Sequence, residues 1–218
     1  MVTRLATQPG NHEKHSSSAF DRRHRPGSIQ ANLENIQKGF GFVPNLMATF
    51  AHSPTVLQGY LALDAVYEKG TFTPAERQLI LLTASLANDC GYCIAAHSTV
   101  AKAFLKVPAE TVAAVRAGKP LADARLDALV NYTRELVEKR GHVSEATLQK
   151  FLAAGYSAPQ AMEVLLGVAL KTISNYLDHW NPAPLMRRLR RRSKRSERRS
   201  TFMSVATPIT TGNWRRCG

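Results

Sequence analysis

The sequence predicts an all-α domain. Between Ser28 and Trp180 apolar residues recur at spacings of three and four, which gathers them on one face of a helix, and alternating β-branched runs are almost absent. Pro, Gly, Ser, Thr and Asn separate these periodic stretches at positions where helices start and stop.

A first helix is predicted from about Ser28 to Lys38, closed by Gly39 and Gly41; a second starts at Pro44, and a third follows Pro54 and stops at Gly70. The fourth begins at Thr73 with Pro74 in its first turn and carries Leu79, Ile80, Leu82, Thr83 and Leu86 as its buried stripe. Asn88-Asp89 ends it, and a helix holding the first two cysteines follows. After Val107-Pro108 come a short helix to Gly118, a longer one from about Leu121 to Arg140, and one from Ser144 to Ala154. The last opens at Ser157-Ala158-Pro159-Gln160, a capping-box arrangement, and extends to about His179. Thr73–Leu86 and Ser157–Leu170 share a cap, a Pro and an apolar run, but no fixed repeat extends along the chain.

The formal charge of +13 on 218 residues is unevenly placed. Residues 1–25 carry +3, residues 26–182 carry zero from 13 basic and 13 acidic side chains, and residues 183–218 carry +10. The expected organisation is therefore a disordered basic leader (1–27), a helical domain (28–181) and an Arg-rich disordered tail (182–218). The abrupt change of composition near Asn181 also matches what a GC-rich message read out of frame would give. No stretch reaches the roughly eighteen continuous apolar residues of a membrane span, and the N-terminus lacks the apolar core of a secretory signal. Three cysteines, two of them close together, suit a cycling dithiol in a reducing, cytoplasmic compartment better than a disulfide scaffold.

Chemistry concentrates at Cys90-Gly91-Tyr92-Cys93 and His97. On a helix of 3.6 residues per turn these two thiols and the imidazole share one face. Three devices favour a thiolate there: the helix N-terminal dipole, the neighbouring thiol, and a protonated His97. His97, four residues past Cys93, makes Cys93 the candidate for deprotonation. Cys90, at the helix start and nearer solvent, suits the resolving thiol, although Asp89 beside it raises a thiol pKa. A zinc site would need a fourth ligand, for which only the remote Cys217 or another His is available, so no metal is expected; two inert structural thiols are the other bland reading.

The stretch Phe72–Thr99, from Glu76-Arg77-Gln78 through Cys90-Gly91-Tyr92-Cys93-Ile94-Ala95-Ala96-His97-Ser98, closely resembles the alkylhydroperoxidase D-like (AhpD-like) branch of the carboxymuconolactone decarboxylase family. Gly41-Phe42-Val43-Pro44-Asn45-Leu46, Ala51-His52-Ser53-Pro54 and Asn175-Tyr176-Leu177-Asp178-His179 are similar to it too, so the resemblance covers roughly residues 28–180. It implies an all-helical homo-oligomer, trimeric or hexameric, that reduces a hydroperoxide without a cofactor. Cys93 would attack the peroxide, Cys90 resolve it and His97 join a proton relay, with an external dithiol or a lipoylated protein as electron donor.

The relay of that branch also has a glutamate twelve residues before the first cysteine, where this chain has Gln78. Glutamine hydrogen-bonds but does not titrate near neutral pH. Glu76 is the alternative acid, yet Thr73-Pro74-Ala75-Glu76 places it in a capping box, the stronger reading of the two.

Asn175 and His179, four apart, are candidates to line the substrate pocket, against the plainer reading of an exposed polar pair. Tyr92 either walls the pocket or packs, and His52 offsets a helix dipole. Cys217 is expected to be exposed and incidental. The Arg-rich tail admits non-specific nucleic-acid contact through counterion release, although few aromatics accompany its arginines. The expected function is a thiol-dependent peroxidase working through a CxxC dithiol/disulfide cycle. The alternatives are a decarboxylase-like lyase on a small carboxylic acid or lactone, or a tail-mediated nucleic-acid-binding protein.

Overall fold

The computed structural model describes residues 27–184. The predicted leader up to residue 26, the Arg-rich run and Cys217 lie outside the described residues. Within them the secondary structure is helical throughout: α1 (Gly27–Phe40), α2 (Asn45–Phe50), α3 (Pro54–Tyr67), α4 (Pro74–Ala87), α5 (Gly91–Ala103), α6 (Ala109–Arg116), α7 (Ala124–Glu138), α8 (Glu145–Ala153) and α9 (Ala158–Trp180). None of the described helices is long and apolar enough to cross a membrane.

Helix starts are set by side chains that accept the free amides of the first turn. Thr73 Oγ1 accepts from the Glu76 amide at 3.2 Å while Glu76 Oε2 accepts from the Thr73 amide at 2.9 Å, a full capping box for α4. Ser157 and Gln160 do the same for α9. Asp123 accepts from the amides of Arg125 and Leu126, so α7 begins at Ala124 rather than at Leu121. At its other end α3 stops at Tyr67, three residues before Gly70, whose amide turns back onto the Tyr67 carbonyl.

The expectation of a single buried stripe on α4 is corrected by the packing. Every residue from Leu79 to Ser85 is buried, because α5, α6, α7 and α9 all pack on this helix. It is an axle rather than an amphipathic surface helix, and a helix apolar on all sides belongs in such a place.

Around it lie three apolar clusters. One joins Val112, Val115 and Val130 to Leu79 and Leu82. Another centres on a stack of rings in which Phe151 lies 4.5 Å from Tyr132 and 4.6 Å from Tyr156. The remaining cluster draws Leu33, Phe50, Leu57 and Tyr60 from α1–α3 against Leu170 of α9, and it contains Cys90, Tyr92 and Cys93.

Gly167 brings α9 close to its neighbours. A Cβ there would lie 2.8 Å from Tyr67 Oη and 3.0 Å from Ile80 Cγ2. The missing side chain therefore sets how deeply the next turn of α9, at Lys171, is driven into the core.

Candidate active site

The turn between α4 and α5 presents the first thiol. Asp89 adopts φ +53°, the left-handed region that short polar side chains tolerate. The Asp89 amide then reaches the Leu86 carbonyl and the Cys90 amide the Ser85 carbonyl, each at 3.0 Å, closing α4 in a Schellman motif. Cys90 leaves this turn directly as the N-cap of α5, which puts Cys93 in the first turn, where the helix dipole favours an anion, and His97 one turn on.

A face of α9 closes over them. Lys171, Asn175 and Asp178, spaced by four and three residues, are exposed by 2 %, 0 % and 8 %. Lys171 Nζ lies 4.0 Å from Cys93 Sγ and 2.8 Å from His97 Nε2. The Cys90 thiol donates to Asp178 Oδ2 at 3.4 Å, and Asp178 Oδ1 accepts from the Ala183 amide at 3.0 Å. Asn175 donates to Ser85 Oγ and accepts from Asn88 Nδ2, and its amide also supports the Cys93 thiolate. From α4, Gln78 Oε1 meets His97 Nδ1 at 2.9 Å. An ammonium group offers only hydrogens, so Nε2 of His97 accepts, and Nδ1 carries the ring hydrogen and donates it to Gln78.

The two free thiols differ in their hold on a proton. Hydrogen bonding from the Cys90 thiol, whose single hydrogen is divided between Cys93 and Asp178, is the main force lowering the Cys93 thiol to about 6; burial opposes it, and Lys171 and Asn175 add to it. That same bond, burial, the charge on Cys93 and Asp178 all push Cys90 the other way. Burial, then the charge of Lys171, hold His97 well below the ordinary imidazole value. Burial also disfavours charge on Lys171, but Tyr60, Cys93, Cys90 and Asp64 together outweigh it and raise its pKa.

Two expectations are thereby corrected. The cation beside the thiolate is Lys171 rather than a protonated His97, which is neutral because a second positive charge 2.8 Å from Lys171 is disfavoured. Cys90 is not the thiol nearer solvent: it is 0 % exposed, covered by Asp178 and the segment after α9, and the carboxylate acting on it is Asp178 while Asp89 faces outward.

Of the residues singled out from the sequence, the fold gathers Cys90, Cys93, His97, Gln78 and Asn175. Glu76 is held elsewhere, by Thr73, by Tyr156 Oη at 2.9 Å and by Arg125 at 3.5 Å. His179 is exposed, its ring 6.3 Å from that of Tyr176, so it does not share the buried face with Asn175. Tyr92 is buried with its hydroxyl accepting from the Leu46 amide at 3.5 Å, which ties α5 to α2. His52 follows the C-cap of α2 on the surface. Lys171 and Asp178 carry chemistry that the spacing of the cysteines does not announce.

The family model for carboxymuconolactone decarboxylases matches residues 54–135. A solved structure from Ralstonia eutropha JMP134, a peroxidase-related protein with an alkylhydroperoxidase AhpD core, superposes with a TM-score of 0.68 at 25 % identity, covering 75 % of this chain and 88 % of that one. The described helices thus have the AhpD-like fold, and residues 54–135 match the carboxymuconolactone decarboxylase family. A peroxidase-related protein from Silicibacter sp. TM1040 shares that fold at TM-score 0.68 and 18 % identity over 84 % and 96 % of the two chains. So does the debrominase Bmp8, seen as a variant with 2,3,4-tribromopyrrole, at TM-score 0.68 and 16 % identity over 81 % and 95 %. No curated protein matches the chain at the level of sequence. The carboxymuconolactone decarboxylase match ends within α7, so Gln78, Cys90, Cys93 and His97 fall inside it while Lys171, Asn175 and Asp178 enter the site from outside.

Proposed function

We propose that this protein is a thiol-dependent peroxidase whose Cys93 reduces a hydroperoxide and whose Cys90 completes a dithiol/disulfide cycle. The observation that carries the reading is the asymmetry of the pair: Cys93 has its pKa lowered and Lys171 at 4.0 Å, and Cys90 keeps its proton against Asp178. A thiolate is the nucleophile, and a thiol held near neutral pKa combines availability with reactivity.

In the first step the Cys93 thiolate attacks the terminal peroxide oxygen and the O–O bond breaks. Cys93 becomes a sulfenic acid, and the departing alkoxide takes a proton from the Lys171 ammonium group to leave as an alcohol. His97 holds that ammonium group through Nε2 and is itself oriented by Gln78. Cys90 then attacks the Cys93 sulfur, a disulfide forms and water departs; an external dithiol, either a small molecule or a lipoylated protein, restores both thiols. The proposed cycle uses the two thiols and the external dithiol, with no further cofactor.

Self-association belongs to the same reading. Met162, Leu165, Ile173, Tyr176 and Trp180 leave an apolar stripe along the outer side of α9, with Trp180 73 % exposed. A second copy laid on this stripe would brace the helix that supplies Lys171; light scattering reporting a monomer would remove this part.

The deciding experiment is turnover of an organic hydroperoxide with excess dithiol, in the parent protein and in Cys93→Ser. Loss of turnover in the variant is expected. Equal rates would sink the peroxidase reading and favour a lyase that does not need the dithiol.

A further inference from the structure

We propose that Asp178 is the base of the second half-reaction: its Oδ2 takes the Cys90 proton as Cys90 attacks the Cys93 sulfur. The inference rests on the dithiol cycle above and assigns a catalytic role on α9.

Geometry supports it first. The Cys90 thiol points at Oδ2 from 3.4 Å, and the other carboxylate oxygen is occupied by the Ala183 amide at 3.0 Å, so the carboxylate is anchored with one oxygen turned to the sulfur. Asp178 is 8 % exposed and Cys90 0 %, so water is largely kept from competing for that proton. Lys171 and Asp178 stand two turns apart on one face of α9, the cation serving Cys93 and the anion Cys90.

The timing follows from what holds the proton. Before oxidation Cys90 keeps its hydrogen because the Cys93 thiolate and Asp178 both favour the neutral thiol. Once Cys93 is a sulfenic acid or a mixed disulfide, the thiolate is gone and Asp178 is the acceptor left in place. Cys90 then attacks as its proton moves to Oδ2, the S–S bond forms, and the group on Cys93 leaves. If that group is hydroxide, the proton taken up by Asp178 passes to it to make water, and Lys171 regains from solvent the proton it gave to the alkoxide.

The test uses the reduced full chain in a Cys217→Ser background with 4,4′-dithiodipyridine, a disulfide that reports each thiol separately. Cys93 attack releases one thiopyridone and Cys90 resolution a second. Asp178→Asn, which keeps an oxygen for the Ala183 amide, should leave the first release within about threefold and slow the second by about a hundredfold, the scale of a lost general base. A second release at the parent rate would overturn the proposal. Ala183→Pro deletes the anchoring amide and also constrains the backbone of the segment; a slowing as large as that of Asp178→Asn would mean that placement of the segment, not the base, sets the rate, and would also overturn it.

A parallel arm uses tert-butyl hydroperoxide with dimedone, which should label Cys93 in Asp178→Asn and not in the parent background. A parent unoxidised by the hydroperoxide, beside a slowed second thiopyridone release in the variant, would refute the peroxidase reading and leave the role of Asp178 standing.

Discussion

Lys171 Nζ lies 2.8 Å from His97 Nε2, so the imidazole of the motif accepts a hydrogen bond from a buried cation instead of supplying the charge itself. The CxxC-and-His signature therefore works here with the positive charge moved to α9 and the imidazole neutral.

Replacing that cation should expose its contribution. Lys171→Met, similar in length and suited to a buried site, removes the ammonium group from the thiolate. The rate of iodoacetamide alkylation of Cys93 against pH should then show its midpoint displaced upward from about 6 by at least one unit. His97 should titrate at a higher pH at the same time, because Lys171 holds it down. An unmoved alkylation midpoint would assign the low value to Cys90 and the helix N-terminus alone.

Stability should rise with pH across the neutral range. Cys93 is depressed in the folded state, so between about 6 and its ordinary value of 9.0 the native protein binds fewer protons than the unfolded chain. Its contribution is thus full above the unfolded value and is lost as pH falls through the folded one. Lowered His97 acts in the same direction below its ordinary 6.5, since the unfolded chain takes up a proton that the native site refuses. Each group contributes at most about 1.4 kcal/mol per pH unit. Thermal melts of the reduced protein at pH 6 and pH 8 should show the higher Tm at pH 8, and Cys93→Ser should shrink the difference.

Glu76 and Gln78, two residues apart, should separate cleanly. The Glu76 carboxylate resists burial but is held ionised by Thr73, Tyr156 and Arg125. Glu76→Gln should cost about 1–3 kcal/mol, a cap and a charged hydrogen bond, while leaving Cys93 alkylation unchanged. Its stabilising effect is present above the ordinary 4.5 and lost as pH falls below it. Gln78→Glu places a carboxylate against His97 Nδ1 and should raise the His97 pKa, followed by NMR, with little change in Tm.

Gly167→Ala adds a methyl group where Tyr67 and Ile80 already stand within about 3 Å. A loss of about 1–3 kcal/mol in chemical denaturation is expected from overpacking, together with slower Cys93 alkylation as α9 is levered outward. Unchanged reactivity would show that α9 yields elsewhere along its length.

Most of the fold is legible because its signals are local. Thr73 and Glu76, or Ser157 and Gln160, announce a helix start within four residues whatever the rest of the chain does. The Cys90, Cys93 and His97 cluster is readable for the same reason, being one turn and its successor. Lys171 is not, because it lies 78 residues from Cys93 in sequence, and a lysine on a helix ordinarily reaches solvent. Its one sequence signal is isolation: it is the only charged residue between Val164 and Leu177. Cys90 is misjudged by local reasoning for a related cause, since an N-cap faces water until α9 and the Ala183 segment are laid across it. Glu76, by contrast, is read correctly as a cap because its partner is three residues away.

The burial of Lys171 against Cys93 also bears on the energetics of electron transfer. Converting the dithiol to a disulfide removes the negative sulfur and leaves an ammonium group, 2 % exposed, without its nearest sulfur counterion. The charge pair therefore favours the reduced protein, which raises the reduction potential and makes the disulfide readier to accept electrons; each factor of ten in that preference is worth about 30 mV. In the proposed cycle, the lysine that would promote oxidation of Cys93 would thus also make the oxidised form readily reduced.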